Sequence, residues 1–481
     1  MSAVEKSDKA KWLAFMTLCL GDLMIVLDST VVNVALPSIR EHLGFSEAGL
    51  VWVVNAYLLT FGGFLLLGGR LADLYGQRKL FLMGVVAFTV ASAGCGLAPS
   101  QTVLVAARAL QGIAGAVVSA VALSLIMQLF PEGPQRVRAM GYFGFVMSGG
   151  GSLGVLLGGL ITNLLDWRWI FLINLPVGAL VVVLSSRLLP AGVRAEGGRH
   201  LDVAGAVTVT ASLMLAVWGI VGAEQVGWTS LQTLVSLAAA VALLAAFITI
   251  ESRVTAPLMP LRILKLRNVA AANVVGVLWA AGMFAWFFLS ALYLQLILDY
   301  SPLQVGLAFL PANLIMGAFS YSLSAKTVNR FGIRGPMATG LGIAAAGLGL
   351  LALAPVNGSF VVHVLPAMLL LGVGAGMAFN PVLLAAMSDV EPQEAGLASG
   401  LVNTAFMMGG ALGLAVLASV AAGATRELGE AGVAAKEALN GGYRLAFLIG
   451  AICAGSAGAI GFLWLKPRAA PQGAGAPVAA H

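Results

Sequence analysis

The stretch Leu27-Asp28-Ser29-Thr30-Val31-Val32-Asn33-Val34-Ala35-Leu36-Pro37 sets a carboxylate, two hydroxyls and a carboxamide inside the first long apolar run of the chain. An ionisable side chain at that depth costs roughly 2.5 to 3.5 kcal/mol on insertion scales, so it faces a bundle interior or a watery cavity and marks ion or substrate traffic. Asp28 is therefore read as a proton and cation site. Arg108 is the one arginine expected within an apolar run, and the rise of a helix gives both residues a depth. With the first helix starting near Trp12, Asp28 lies ~24 Å from that end; with the fourth starting from the opposite side near Thr102, Arg108 lies ~21 Å from the same face. If these helices are neighbours, each side chain offsets the other's desolvation, and a proton or cation arriving at Asp28 competes with Arg108. A purely structural buried pair is the alternative. Asp22, ~15 Å along the first helix and about 120° around its axis from Asp28, reads equally as a second protonation site or as a polar residue satisfied by a neighbouring helix.

The elements that must hold these groups are membrane helices. Of the 481 residues 60% are hydrophobic and only 10% charged, against about 25% charged in a soluble domain. Apolar segments near the ~20 residues needed to cross a bilayer fall at roughly 12–36, 49–69, 80–98, 102–129, 138–163, 168–189, 203–222 and 229–250. Others follow at about 268–298, 303–326, 335–354, 360–387, 397–422 and 443–465. This predicts an all-α polytopic protein of fourteen spans. With both termini cytoplasmic, 20 Lys and Arg fall inside and 5 outside, as the positive-inside rule requires. Those basic residues, scattered among short loops, account for the net charge of +6 without nucleic acid. The first run is too long for a signal-peptide core and is expected to stay in the membrane. Asp73, Gly76 and Arg78 after the second span recur 256 residues later as Asn329, Gly332 and Arg334. The repeat divides the chain into a six-helix bundle over 1–190, a two-helix insert with flanking loops over 191–267, a second six-helix bundle over 268–465 and a disordered cytoplasmic tail over 466–481.

Leu27 to Pro37, with Thr30, Asn33 and Pro37, resembles the first-helix motif of the fourteen-span drug:proton antiporters of the major facilitator superfamily. Gly69-Arg70-Leu71-Ala72-Asp73-Leu74-Tyr75-Gly76-Gln77-Arg78-Lys79 resembles the superfamily's loop after helix two, and Arg108-Ala109-Leu110-Gln111-Gly112 its fourth-helix motif linked to proton coupling. The similarity runs on through Trp167 to Pro176, Tyr293-Leu294-Gln295, Ser301-Pro302-Leu303 and Ala398 to Leu401 with Asn403. It implies a major facilitator fold, alternating access and a loop at Gly69, Asp73, Gly76, Arg78 and Lys79 that latches the two halves. A plain topogenic loop is the alternative. Leu74 and Gln77 stand where the family is usually basic, and Val155 where it usually has Pro. The resemblance also implies a bacterial cytoplasmic membrane, antibiotic resistance and a monomer.

Gly150, Gly154, Gly158 and Gly159 form a small-residue stripe that lets helices approach closely, whether for antiport coupling or for packing alone. The aromatics of the ninth span, Trp279, Phe284, Trp286, Phe287, Phe288 and Tyr293, exceed one lipid-facing stripe, so some are candidates to line a cavity for lipophilic cations. Asn313, Asn380, Asn403, Met407 and Met408 are candidates on the same grounds. Cys19, Cys95 and Cys453 read as apolar packing residues, and the scattered histidines have no metal spacing. Without a phosphate-cradling loop carrying Lys, an ATPase is excluded, no cofactor is expected and an ion gradient must drive transport. The expectation is proton-coupled export of lipophilic drugs, cationic or neutral, by a protein whose partners are protons, substrate and membrane lipid. Export of an endogenous lipid, siderophore or secondary metabolite is one alternative, and a non-transporting membrane sensor or scaffold another.

Overall fold

The computed structural model of the chain describes residues 3–130, 134–189, 202–254, 257–259, 261–390 and 395–466. The loop at 190–201 and the tail from 467 lie outside the described residues. The described chain is helical throughout. In order the helices are α1 (Ala3–Leu43), α2 (Glu47–Tyr75), α3 (Gln77–Gly96), α4 (Gln101–Leu129), α5 (Pro134–Leu164), the single turn α6 (Trp169–Leu172) and α7 (Asn174–Leu188). There follow α8 (Val203–Val226), α9 (Leu231–Arg253), a short α10 (Leu261–Leu264), α11 (Arg267–Leu292), α12 (Pro302–Ala318) and α13 (Ser324–Phe331). The last four are α14 (Arg334–Leu351), α15 (Leu365–Met387), α16 (Ala395–Glu430) and α17 (Ala435–Trp464). Wide π-type turns at Tyr293–Ile297 and Phe319–Leu323 continue α11 and α12, and one at Phe360–Val364 leads into α15.

Polar residues at the apolar run ends stop and start these helices. Ser46, Ser100 and Ser230 accept from the backbone N–H of Gly49, Val103 and Thr233, and Ser301 forms a reciprocal capping box with Gln304. Gly76 and Gly332, the paired glycines of the repeated loop, both take a positive φ, 88° and 72°, which lets α2 and α13 turn sharply into the next helix.

Eleven of the described helices are long and apolar enough to cross a membrane, and shorter apolar helices stand at Leu153–Leu164 and Pro302–Ala318. The helix ends overrun the hydropathy limits at α1, at α2 and most clearly between α16 and α17. Where the sequence suggested an outer loop over 423–442, α16 continues to Glu430 and α17 begins at Ala435. Helical hydrogen bonding does not need apolar side chains, and Arg426 pairs with Glu430 one turn on at 4.0 Å.

Helix α1 packs on α5, α7 and α4, and α2 and α3 on α4; correspondingly α11 packs on α16 and α17, and α14 on α15 and α17. These two groups meet along α5 with α12 and along α2 with α16. Helix α8 runs antiparallel beside α2, with Trp218 against Trp52 (6.1 Å between rings), Thr210 against Gly63 and Ala206 against Leu67. It also touches α16, where Ser419 donates to the Ile220 carbonyl at 3.2 Å.

Candidate functional site

Asp28 and Arg108 meet. Arg108 Nη1 donates to Asp28 Oδ2 at 2.5 Å, and the two side chains are 1% and 0% exposed. The other carboxylate oxygen, Oδ1, accepts from Gln111 Nε2 at 3.0 Å and from Asn174 Nδ2 at 2.8 Å. Arg108 also donates from Nη1 to Gln111 Oε1 (2.8 Å) and from Nε to the Val53 carbonyl (2.9 Å), with its guanidinium 4.4 Å from the Tyr57 ring and 5.6 Å from that of Phe171. Ser92 accepts from both Gln111 (2.7 Å) and Asn174 (3.3 Å), and Cys95 Sγ donates to Gln111 Oε1 at 3.2 Å. Six helices thus supply one buried network: α1, α2, α3, α4, α6 and α7. A charge pair in so dry a place is tolerable only when it is also hydrogen-bonded to its surroundings, and here both carboxylate oxygens and two guanidinium nitrogens are bonded.

A cavity of about 90 Å³ between α1, α5, α6 and α7 reaches Asp28 and Asn174 past aliphatic side chains such as Leu23, Leu27, Leu157 and Ile161. That exceeds the ~10–15 Å³ one water needs. Asp28 thus borders a small, mainly apolar cavity.

Asp22 occupies a different environment. It is 1% exposed and accepts from Ser119 Oγ on α4. Both carboxylates of α1 bond to α4, Asp22 at Ser119 and Asp28 at Arg108. Thr30 bonds back to the carbonyls of Val26 (3.0 Å) and Leu27 (3.2 Å), and Asn33 to that of Thr30 (3.3 Å), so both serve the backbone of α1 near its internal Pro37. Gly112 lets α4 lie on α2, with Thr60 Oγ1 donating to the Ala109 carbonyl at 2.9 Å.

The four α5 glycines split between two partners. A side chain added at Gly150 would meet Leu23 at 2.7 Å, at Gly154 the Leu27 carbonyl at 3.1 Å and at Gly158 the Val31 carbonyl at 2.6 Å, all on α1. At Gly159 it would meet Leu303 of α12 at 3.1 Å. One further residue along a helix is 100° around it, so Gly159 leaves the stripe and faces the second helix group.

In the loop after α2 the described side-chain bonds are local. Arg78 donates to the Ser186 carbonyl of α7, Gln77 donates to Ser124 Oγ of α4 at 2.8 Å, and Lys79 is exposed. Those described bonds stay within α1–α7, because α3 begins directly at Gln77 and turns both side chains toward its own neighbours. A side chain added at Gly69 would come within 4.0 Å of Ala120. The Asp73 side chain lies outside the described residues.

The aromatic candidates also divide. Trp279 and Asn403 line a small cavity with Phe379, Val382 and Phe406, and Phe284 packs on Phe406 at 5.9 Å. Trp286 and Tyr293 do not belong there. Trp286 is enclosed by Phe287, Phe309 and Met368, and the Tyr293 hydroxyl donates to the Pro355 carbonyl at 2.8 Å; both are core. Asn380 donates to the Ser320 carbonyl at 3.2 Å, and Met407 abuts Gly62. Asn313 is 2% exposed and neither its Nδ2 nor its Oδ1 has a hydrogen-bond partner.

Sequence reasoning assigned no chemistry to Asn174, Ser92 or Tyr57. For Asn174 a signal existed. With the sixth span starting at Arg168 on the outer side, Asn174 is six residues in, or ~9 Å, the same depth estimated for Arg108.

The profile of the Major Facilitator Superfamily matches residues 18–414. The chain is 40% identical over 426 residues to the puromycin resistance protein pur8 of Streptomyces alboniger, covering 88% of this chain and 84% of that one. It is 39% identical over 415 residues to the cephamycin export protein CmcT of Amycolatopsis lactamdurans, with coverage of 86% and 85%. The multidrug resistance protein Stp of Mycobacterium tuberculosis matches at 36% over 405 residues, 84% of this chain and 74% of Stp. Among solved structures, the POT family transporter PepTSo superposes with a TM-score of 0.68 at 15% identity, covering 94% of this chain and 97% of its own. An inward-open form of the xylose transporter XylE from E. coli superposes with a TM-score of 0.64 at 16% identity, with coverage of 95% and 97%.

Proposed function

The chain belongs to the Major Facilitator Superfamily, and from that premise we propose that it is a proton-coupled exporter of lipophilic drugs, cationic or neutral. In this reading it has fourteen spans with both termini cytoplasmic, two six-helix bundles over 1–190 and 268–465 joined by the insert at 191–267, and a place in a bacterial cytoplasmic membrane. The loop charges favour that topology, and the names of the relatives, which speak of antibiotic and multidrug resistance and of export, favour that cargo. Superfamily members are transporters, not enzymes.

The observation that carries the coupling is the Asp28 network. A carboxylate held by Arg108, Gln111 and Asn174 is stable ionised, and a proton added to it is stabilised when Arg108 withdraws. A drug cation at the same place would have to displace an arginine from a site with no exposed carboxylate surface. A proton needs no such room. Asp28 accordingly takes a proton from outside and releases it to the cytoplasm when substrate enters, Arg108 holding the ionised form and Asp22 serving as a second site. In the proposed topology, Gln295 Nε2 bonded to the Val34 carbonyl at 3.0 Å and α5 seated on α12 at Gly159 and Gly306 close the outer side. Drug then binds between the bundles from within, near Asn313, Asn403 and Trp279.

In liposomes, Asp28→Asn is expected to abolish drug-driven proton movement. Normal antiport by that variant would sink the assignment. A second reading, export of an endogenous natural product, is favoured by the likeness to a cephamycin export protein. It predicts unchanged drug susceptibility on deletion while a metabolite accumulates in the cell.

A further inference from the structure

Asn174 stands at a junction that the proton-site reading leaves unused. It is the first residue of α7, directly after the single turn α6 and Ile173, whose φ of −62° and ψ of −22° keep the chain helical. Its Nδ2 is shared between Asp28 Oδ1 (2.8 Å) and Ser92 Oγ (3.3 Å), and the residue is 3% exposed. Three residues before it, Phe171 is fully buried with its ring 5.6 Å from the Arg108 guanidinium. Trp167, also buried, packs edge-on against Phe171 at 6.3 Å. The short segment 167–174 therefore covers the Asp28–Arg108 pair from the end of the helices that α6 caps, and is bonded to the carboxylate itself through one side chain.

A carboxamide suits that position. Its NH2 donates to an ionised carboxylate, and after rotation its oxygen accepts from a protonated one. An apolar residue serves neither state, and a serine hydroxyl, which can donate or accept, reaches less far. We propose that Asn174 is the positioning residue that ties the protonation of Asp28 to the covering segment 167–173. When Asp28 is ionised, Asn174 holds α6 and Phe171 over the pair. When Asp28 takes a proton, that bond reverses direction and weakens, and the segment is freed to admit the next exchange. No bond beyond hydrogen bonds is made or broken, and the proton moves only to and from Asp28. The titratable or charged groups around Asp28 on the packed elements are Arg108 on α4, Tyr57 on α2 and Cys95 on α3, with Asp22 further along α1. The inference rests on Asp28 being the coupling site, but is tested separately from it.

The test uses the full-length protein in liposomes with a pH-sensitive dye, following substrate-driven proton release against pH for native protein, Asn174→Leu, Asn174→Gln and Asp28→Asn. Loss of one hydrogen bond to the ionised form is expected to move the midpoint for Asn174→Leu about one unit toward higher pH, a tenfold change in proton affinity that corresponds to about 1.4 kcal/mol. Asn174→Gln, which keeps the donor and acceptor, is expected to restore the native midpoint. A cysteine placed at Phe171 should label faster from outside in the Asn174→Leu background. Equal midpoints and labelling rates in Asn174→Leu and native protein would overturn the inference while leaving Asp28 as the coupling site. Proton release that persists in Asp28→Asn would remove the coupling reading instead. If Asn174→Leu does not fold, the comparison passes to Asn174→Ser, which keeps a hydroxyl but shortens the reach, and an unshifted midpoint there overturns the inference equally.

Discussion

Removing Arg108 tests whether the pair holds the fold, the coupling, or both. In Arg108→Leu three bonds disappear, at 2.5 Å to Asp28, 2.8 Å to Gln111 and 2.9 Å to the Val53 carbonyl. Asp28 keeps two neutral donors, Gln111 and Asn174, but loses its only bonded counter-charge among the described residues. Breaking a buried pair from one side costs about 3–5 kcal/mol because a bare charge stays behind. Taking both charges away, as in Asp28→Asn with Arg108→Leu, removes the bare charge and leaves a deficit of about 1–2 kcal/mol from lost hydrogen bonds. Asp28→Asn strands the Arg108 charge at a similar cost, so the two single losses together should exceed the double-variant loss by about 4–9 kcal/mol, more than is usual for residues in contact. Unfolding of the purified protein in mixed micelles, followed by tryptophan fluorescence, measures it. Single-variant losses that add up in the double variant would refute the reasoning, since they would mean that the two side chains do not share an energy term.

Two further outcomes follow from the same contacts. A valine at Gly158 drives into α1 at the Val31 carbonyl, whereas a valine at Gly159 drives into Leu303 of α12; the first should lower expression and thermal stability, and the second should leave folding intact but hold the outer side open, read as faster labelling of outer-side cysteines. Asn313→Ala relieves a buried carboxamide with no partner on either polar atom and should stabilise the protein by about 1–3 kcal/mol while raising the KM for drug, a gain in melting temperature set against a loss of function; a lower melting temperature would show that the carboxamide is satisfied after all.

What could be read in advance follows from how expensive each group is. Asp28 and Arg108 carry formal charge in hydrocarbon, so each demands a counterpart, and depth along the helix was enough to bring them together. Asn174 carries no charge, demands less, and entered the reading only as part of a motif, although the same depth arithmetic applies to it. The paired glycines Gly76 and Gly332 were legible as turns because positive φ, 88° and 72°, is a local property. Where an outcome depended on which way a side chain points, spacing alone did not reach it. Arg78 and Gln77 turned inward to Ser186 and Ser124 rather than across the bundles, and Trp286 and Tyr293 turned into the core while Trp279, on the same helix, lines a cavity.

Val155 joins these strands. The resemblance made its lack of a pyrrolidine ring a question about how strictly antiport is coupled. In the structure α5 is one uninterrupted helix from Pro134 to Leu164, and the Val155 carbonyl lies where a side chain on Gly306 of α12 would meet it at 3.0 Å. A proline at 155 would remove a helical N–H and bend α5 at a cost of about 3 kcal/mol, just where α5 leaves α1 for α12. Without it the closure between the bundles rests on backbone approaching backbone over Gly159 and Gly306, which a straight helix can make and break as a rigid rod. In the proposed coupling, strictness is then carried less by α5 than by the Asp28 network, and within that network by the residues that hold the carboxylate in each of its two states.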